Sequence, residues 1–243
     1  MKGFLNPDNP FNQFMVRIAD LCIINVLMLF CSIPIFTIGA ACAAAHKTTQ
    51  DMVFDTGSGV VAPFFRAFKS NFKQSTVVWL ITLFLGIVVF LWFFLISVYF
   101  TGTLRTIGFI LLGIGAFLLL ALNAYMYPLM VRYENTLKQH LHNTILLILF
   151  NFPRTLGMVA VNLIPFLLLY FFTGFFIRIA IFWLLMGFAF IILINSYLVK
   201  PILEDLEEKQ ALAEAKAAEE ASKKAEQTEE APEQIPESPE DES

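Results

Sequence analysis

The sequence predicts an all-α membrane protein, a polytopic transmembrane helical bundle with five spans. Five stretches carry no charged residue, and each reaches or approaches the roughly 20 apolar residues that a helix needs to cross a bilayer. The chain is 58% hydrophobic and contains 27 Phe, a content that suits a bundle in lipid and that a water-soluble domain could not bury. The apolar runs are continuous and do not alternate with polar residues, which excludes a transmembrane β-barrel.

The predicted spans follow one another closely along the chain. They cover about residues 21–45, 75–101, 106–131, 155–177 and 179–199. Together they form a transmembrane domain over residues 18–203, and a short N-terminal segment, residues 1–17, precedes it. Residues 141–153 are also apolar, and two alternatives stay open for them: the segment lies flat in the interface, or it extends the fourth span.

The C-terminal part, residues 204–243, differs from the rest in charge. Residues 1–203 carry 12 Lys/Arg and 5 Asp/Glu, a net charge of +7, whereas the tail carries 4 Lys and 15 Asp/Glu, a net charge of -11. The tail is rich in Glu, Ala and Lys as far as Gln227, which predicts helix. From Thr228 onward Pro and Glu dominate, and we expect disorder because no core can form there.

The cations at the ends of the spans predict an orientation, since cytoplasmic flanks are enriched in Lys and Arg. With five spans, one face holds the N-terminus and the two tight turns. It carries four cations, Lys2, Arg17, Arg105 and Arg178. The other face carries eight, Lys47, Arg66, Lys69, Lys73, Arg132, Lys138, Arg154 and Lys200. We therefore expect the N-terminus outside and the acidic tail in the cytoplasm.

The first predicted span contains the most specific motif of the chain. Pro34 lacks a backbone N–H, so it should kink the helix, and nearby hydroxyls can relieve the lost bond. Small residues follow on one face and would let another helix approach closely. The candidate helix-packing residues are Ser32, Pro34, Thr37, Gly39, Ala40 and Ala43. A break that binds a substrate is the less favoured alternative.

A Phe-rich basic segment precedes the second predicted span. Its rings recur at helical spacing and alternate with cations, as in a helix that lies in the membrane interface. The candidate interfacial anchor comprises Phe64, Phe65, Arg66, Phe68, Lys69, Phe72 and Lys73. A simple topological anchor is the favoured interpretation, and a docking surface for lipid or a partner is the alternative.

Three amides within the spans form a candidate polar seam. Asn123, Asn162 and Asn195 are all expected toward the cytoplasmic half of the bundle. Such amides more often make interhelical hydrogen bonds than line a substrate site. Asn123 and Asn195 also belong to a weak internal repeat at an offset of 72 residues, which indicates two similar hairpins.

The sequence offers no catalytic or metal-binding constellation. We expect no Asp, Glu, Lys or Arg deep within a span, so the relays typical of proton-coupled carriers are missing. His140 and His142 form a bare His-x-His without a third ligand, which makes a zinc site improbable. No motif pairs a nucleophile with a base. We therefore expect no enzyme, no cofactor, no metal and no nucleic-acid partner.

Two segments resemble a known family. The first runs from Asn12 to Lys47 and includes the Ser32-Ile33-Pro34 and Thr37-Ile38-Gly39-Ala40 motifs, and the second runs from Phe64 to Gln74. Both resemble the YesL-like bacterial integral membrane proteins, a domain of unknown function. Members are often encoded beside ABC-type carbohydrate importers, so the resemblance implies an accessory role in carbohydrate uptake or sensing at the bacterial plasma membrane.

Two functions therefore remain in view. The favoured one is a non-enzymatic accessory or assembly factor that packs against ABC transporter permease subunits, or against itself, within the lipid bilayer. The alternative is a small solute carrier or channel with a polar site in the cytoplasmic half of the bundle. Only the second requires the three amides to share one cavity.

Overall fold

A computed structural model describes residues 9–57 and 59–229 of the chain, and every regular element in these ranges is helical. The elements are α1 Pro10–Cys31, a 3-10 turn Ile35–Thr37, α2 Ile38–Val53, α3 Val61–Ser70, α4 Phe72–Tyr99, α5 Gly102–Met130, α6 Leu137–Phe150, α7 Phe152–Phe171, α8 Thr173–Arg178, α9 Ala180–Phe182, a π-helical turn Trp183–Gly187 and α10 Phe188–Glu229. The described part of the chain divides into two compact units, one that ends at Lys200 and one that begins at Pro201.

Five helices of the described residues are long and apolar enough to cross a membrane. They are Pro10–Cys31, Phe72–Tyr99, Gly102–Met130, Phe152–Phe171 and Ala180–Glu219. Large apolar side chains cover their outer surfaces. In the most apolar 18-residue stretch of α4, only 6% of the residues are buried within the protein. Such a surface is stable in lipid and not in water. The prediction of a helical membrane bundle with five spanning helices is confirmed.

The first predicted span, residues 21–45, is two helices and not one. α1 ends at Cys31, the chain turns through Ser32 and Pro34, and α2 starts at Ile38. Pro34 cannot donate a backbone hydrogen bond, and the Thr37 hydroxyl bonds to the carbonyls of Cys31 and Pro34, at 2.6 Å each. These bonds stabilise a full break, where the sequence had predicted only a kink.

Helix α2 lies in the middle of the bundle. Its N-terminal half is made of small residues, and Ala40, Ala43 and Ala44 are completely buried. At Gly39 an added Cβ would lie 2.5 Å from Cβ of Trp79 and would overlap the carbonyl oxygen of Ser75, so α2 and α4 leave no room for a side chain at this position. α2 also packs against α1, α3 and α5.

The start of α1 and the end of α10's apolar part lie at the same end of the bundle. Arg17 donates to a carboxylate oxygen of Asp55 at 3.0 Å and to the Tyr197 hydroxyl at 3.3 Å. Lys200 donates to the carbonyl of Val53, the last residue of α2, at 3.1 Å. The prediction that Arg17 and Lys200 lie on opposite faces is therefore wrong. Because α2 returns the chain to the end where α1 began, α1 starts at the end of the bundle that also holds Lys200.

The open question about residues 141–153 is resolved by the fold. α6 and α7 are separate helices that meet at Asn151, so the segment does not extend the fourth span. α6 begins with a capping box, in which Thr136 and Gln139 satisfy each other's backbone N–H groups.

The second unit consists, as far as the structure describes it, of the helical continuation of α10 to Glu229. An exposed ion pair joins Lys209 to Asp205 at 2.7 Å, one helical turn apart. The predicted helical character of the tail therefore extends through Gln227. The predicted disorder from Thr228 falls mostly on residues 230–243, which lie outside the described residues.

The shared end of α1 and α10 predicts a specific labelling pattern. With the three native cysteines replaced by alanine, a membrane-impermeant maleimide should label Phe11→Cys and Lys69→Cys from the same face of sealed vesicles, and Thr103→Cys from the opposite face. Thr103 lies at the start of α5, far from the C-terminal end of α2. α1 begins near the C-terminal end of α2, and α3 lies near it. Labelling of Phe11→Cys from the same face as Thr103→Cys would restore the predicted arrangement, in which the start of α1 lies at the end opposite Lys200.

The close approach at Gly39 predicts a stability difference between two glycines. Gly39→Ala should lower the free energy of unfolding by about 1–3 kcal/mol, because the methyl group must displace α4 backbone. Gly113→Ala is the matched control, since no atom lies within 4 Å of its added Cβ and alanine favours helix. Thermal unfolding in detergent measures both variants. Equal midpoints for the two would mean that α2 and α4 are not in backbone contact.

Candidate functional site

The C-terminal half of α2 carries buried polar side chains inside an otherwise apolar bundle. His46, Thr48, Thr49 and Gln50 are each at most 6% exposed. The two threonine hydroxyls bond to carbonyls one turn earlier, Thr48 to Ala44 and Thr49 to Ala45, both at 2.9 Å. Thr49 also contacts the Ser196 hydroxyl of α10 at 3.0 Å. Threonines in a spanning helix are commonly satisfied in this way, by their own backbone and a neighbouring helix.

The same half of α2 faces the end of α5. The rings of His46 and Tyr127 are stacked, with centroids 6.0 Å apart and planes within 6° of parallel. The Gln50 amide donates to the carbonyl of Pro128 at 3.1 Å. Carbonyls in the last turn of a helix lack intrahelical partners, so Gln50 supplies a donor that the backbone of α5 needs.

Three polar atoms of this α2–α5 contact have no hydrogen-bond partner among the described residues. They are Nδ1 of His46, Oε1 of Gln50 and the hydroxyl of Tyr127. Buried polar groups nearly always find a partner, because an unsatisfied one costs about 1–3 kcal/mol. The α2–α5 contact therefore leaves three buried polar atoms unpaired among the described residues.

Several cationic side chains lie close to the C-terminal end of α2. Phe54 follows the last residue of α2, and its ring lies 4.1 Å from the guanidinium carbon of Arg132 and 5.2 Å from Nζ of Lys200. Cations at these distances are attracted to the negative face of the ring. The Lys200 ammonium also binds the carbonyl of Val53, where the helix dipole is negative. The Arg17–Asp55 pair is largely exposed and adds little stability.

A polar cleft opens beside this end of α2. It has a volume of about 510 Å³ and lies between α2, the connection to α3, and α3 itself. Its lining includes Lys47, Asp51, Arg66 and Asn71. Lys47 and Asp51 form an ion pair at 2.6 Å, one turn apart on α2.

The predicted helix-packing residues lie along the turn between α1 and α2 and along the N-terminal half of α2. Ser32 and Pro34 form the turn, and Thr37 bonds to its carbonyls. Gly39 packs on α4, and Ala43 belongs to an apolar cluster with Val78 of α4 and residues of α5.

The three amides of the predicted seam do not share one site. Asn195 donates to the side-chain oxygen of Asn162 at 3.1 Å, which joins α10 to α7. Asn123 instead accepts from the Thr82 hydroxyl at 3.0 Å, which joins α5 to α4. In both predicted hairpins, the amide of the second helix therefore bonds to a polar side chain of the first.

The predicted interfacial anchor is divided between the core and the surface. Phe64 is fully buried in a cluster with α1 and α2 residues, and Phe68 packs against the same cluster. Phe65 is 40% exposed, and Phe72 is half-buried. The cations Arg66, Lys69 and Lys73 are all exposed. α3 is therefore held to the bundle by its rings and presents its charges outward.

Comparison with known proteins adds a family match. Residues 21–93 match the family described as Protein of unknown function, DUF624. The match covers α2, α3 and most of α4, and so includes most of the two segments that resemble the YesL-like proteins. No curated protein and no solved structure matches the chain.

The site residue least expected from the sequence is Asn25. It is completely buried, donates to the carbonyls of Trp183 and Leu184 at 3.2 and 2.7 Å, and accepts from the backbone N–H of Ala189 at 2.9 Å. A π-helical turn leaves backbone groups without their usual partners, and Asn25 bonds to two carbonyls of the turn and to one N–H just after it. A lone Asn in a span was the only signal, and it did not indicate the partner helix.

The two histidines of the His-x-His pair in α6 lie in different environments. His140 is 1% exposed, whereas His142 is exposed. Burial lowers the pKa of His140, which keeps its imidazole neutral at physiological pH. No group of three or more His, Cys, Asp or Glu side chains in the described part of the chain could hold a metal ion.

The Asn25 contacts predict a large effect of a single substitution. Asn25→Leu should lower the free energy of unfolding by about 2 kcal/mol or more, because three backbone groups in and just after the π-helical turn lose their partner within the bundle. Asn123→Leu is the matched control, because it removes one hydrogen bond to a neighbouring helix. Unfolding midpoints in detergent should fall further for Asn25→Leu. An equal or smaller fall would show that Asn25 does not stabilise the turn.

Proposed function

We propose that this protein is a non-enzymatic accessory or assembly factor that binds other proteins within the membrane. The observation that supports this function is the filled centre of the bundle. Ala40, Ala43 and Ala44 of α2 are 0% exposed, and Gly39 is in contact with the backbone of α4. A carrier needs room for a solute where α2 packs, whereas a binding protein needs only a stable framework and an outer surface.

The proposed partner class is the permease subunit of an ABC-type carbohydrate importer in the bacterial plasma membrane. This part of the proposal rests on the resemblance of Asn12 to Lys47 and of Phe64 to Gln74 to the YesL-like proteins. The apolar surfaces of α4 and α5 are available for such contacts, since large side chains such as Phe90 and Leu111 are more than 60% exposed.

We further propose that the end of the bundle holding Arg17 and Lys200 faces the cytoplasm. Of the cations within residues 9–200, nine lie at or near this end: Arg17, Lys47, Arg66, Lys69, Lys73, Arg132, Lys138, Arg154 and Lys200. Arg105 and Arg178 lie at the turns of the other end. Cytoplasmic flanks are enriched in cations, so this distribution supports a cytoplasmic start of α1.

A carrier for a small polar solute is the second candidate. The unsatisfied polar atoms of His46, Gln50 and Tyr127 favour it, because they lie together between α2 and α5. The pairing of the amides disfavours it, because Asn123 is bonded to Thr82 while Asn162 and Asn195 bond to each other.

Two parallel measurements test the proposed function. The tagged protein is co-expressed with the ABC-type carbohydrate permease subunits of its own genome, and purified in mild detergent, with an unrelated polytopic permease as control. We expect the carbohydrate permease to co-purify in constant ratio and the control permease to be absent. The purified protein in liposomes should move no sugar. Absence of the permease, together with sugar flux that Gln50→Leu abolishes, would overturn the proposal in favour of the carrier.

A further inference from the structure

The cleft beside α2 is built from small residues around two cations. Its floor and walls are formed by small or short side chains, which leave the volume of about 510 Å³ open. Among the described residues, Gly57, Ala62, Pro63 and Ala67 line the cleft beside Lys47 and Arg66. The cleft is large enough for a polar group with several oxygens, and it lies at the end of the bundle where most cations within residues 9–200 are found. Charged ends of membrane bundles commonly meet lipid head groups.

The charge of the cleft is positive. Lys47 and Arg66 contribute two positive charges and Asp51 one negative charge, so the net charge is +1. Asp51 is already engaged, because one of its oxygens accepts from Lys47 at 2.6 Å and from the Thr56 hydroxyl at 3.4 Å. The Lys47 ammonium has three N–H donors and uses one of them on Asp51.

Arg66 is the group in the cleft best placed to bind a ligand. Its guanidinium has no hydrogen bond or ion pair with any described residue, although five donors are available. The backbone beneath it is fixed, since Phe64 is fully buried among α1 and α2 residues and Ala67 is buried next to it. The donors of Ser70 and Asn71 are turned back to the carbonyl of Ala67 at 3.2 Å each, so they do not compete for an anion.

We propose that this cleft binds a phosphate group, with the Arg66 guanidinium as the principal ligand and the Lys47 ammonium as the second. A planar guanidinium can donate two parallel hydrogen bonds to two oxygens of one phosphate, and an ammonium adds a point charge. A phosphodiester carries one negative charge, which matches the net charge of the cleft. The phosphate belongs to an anionic phospholipid head group or to a free phosphate ester, and the two sources share this chemistry.

Neighbouring residues favour the lipid as the source. The half-exposed ring of Phe65 is adjacent to Arg66 on α3. An aromatic side chain next to a phosphate site suits a molecule whose head group is charged and whose remainder is apolar.

The test uses the full chain, purified and delipidated in a nonionic detergent. Its unfolding midpoint is titrated with phosphatidylglycerol, with phosphatidylcholine, and with glycerol 1-phosphate and inorganic phosphate as the soluble arms. We expect a saturable rise of the midpoint with phosphatidylglycerol. If the bound phosphate belongs to a free ester, glycerol 1-phosphate or inorganic phosphate should raise the midpoint as well. Arg66→Gln should weaken this binding about tenfold, as the loss of a charge-assisted pair predicts.

Lys69→Gln is the matched control. Lys69 is an exposed cation of the same helix that does not line the cleft, so its loss should change the affinity less than twofold. Both variants should unfold at the wild-type temperature without ligand, because both side chains are exposed. Equal weakening by the two variants would assign the effect to diffuse surface charge and overturn the site. Absence of a saturable shift with every probe would overturn it as well.

Discussion

The passage of α2 through the middle of the bundle is the constraint on which the other helices depend. In lipid, apolar side chains gain little by moving from the bilayer into a protein interior, so helices associate through close packing and hydrogen bonds. α2 supplies both, with Gly39 and its alanines in the N-terminal half and polar side chains in the C-terminal half. α1, α3, α4 and α5 all pack directly on this helix.

The hydrogen bonds of α2 explain how its polar side chains are accommodated inside the bundle. Thr48 and Thr49 bond to their own backbone, and Gln50 satisfies the last turn of α5. Most polar side chains inside a membrane bundle find such a partner, and the surrounding helices shield those of α2 from the acyl chains. The same logic applies to Asn25, which completes the hydrogen bonding of the π-helical turn. Polar residues inside this bundle therefore define helix contacts, and the open polar surface lies at the end of α2.

Much of the fold could be predicted from the residues. The helices α4 and α5 were placed within a few residues of their bounds, because long apolar runs bounded by cations leave little choice. Pro34 correctly marked an interruption, but its extent depended on the bonds from Thr37, which need the folded turn. The amides Asn123, Asn162 and Asn195 were expected in one seam. Their actual partners depend on which helices are neighbours and on the rotation of each, which a single sequence does not contain.

The sequence by itself determined five apolar helices and an acidic, helix-forming tail, because hydropathy and charge are local properties of a segment. Only the tertiary structure showed that residues 21–45 belong to two antiparallel helices, and that Arg17 and Lys200 share one end of the bundle. The physical reason lies in α2, which has 16 residues and a polar second half. Such a helix does not resemble a span in its own composition, and it is stable at this depth only because the other helices enclose it.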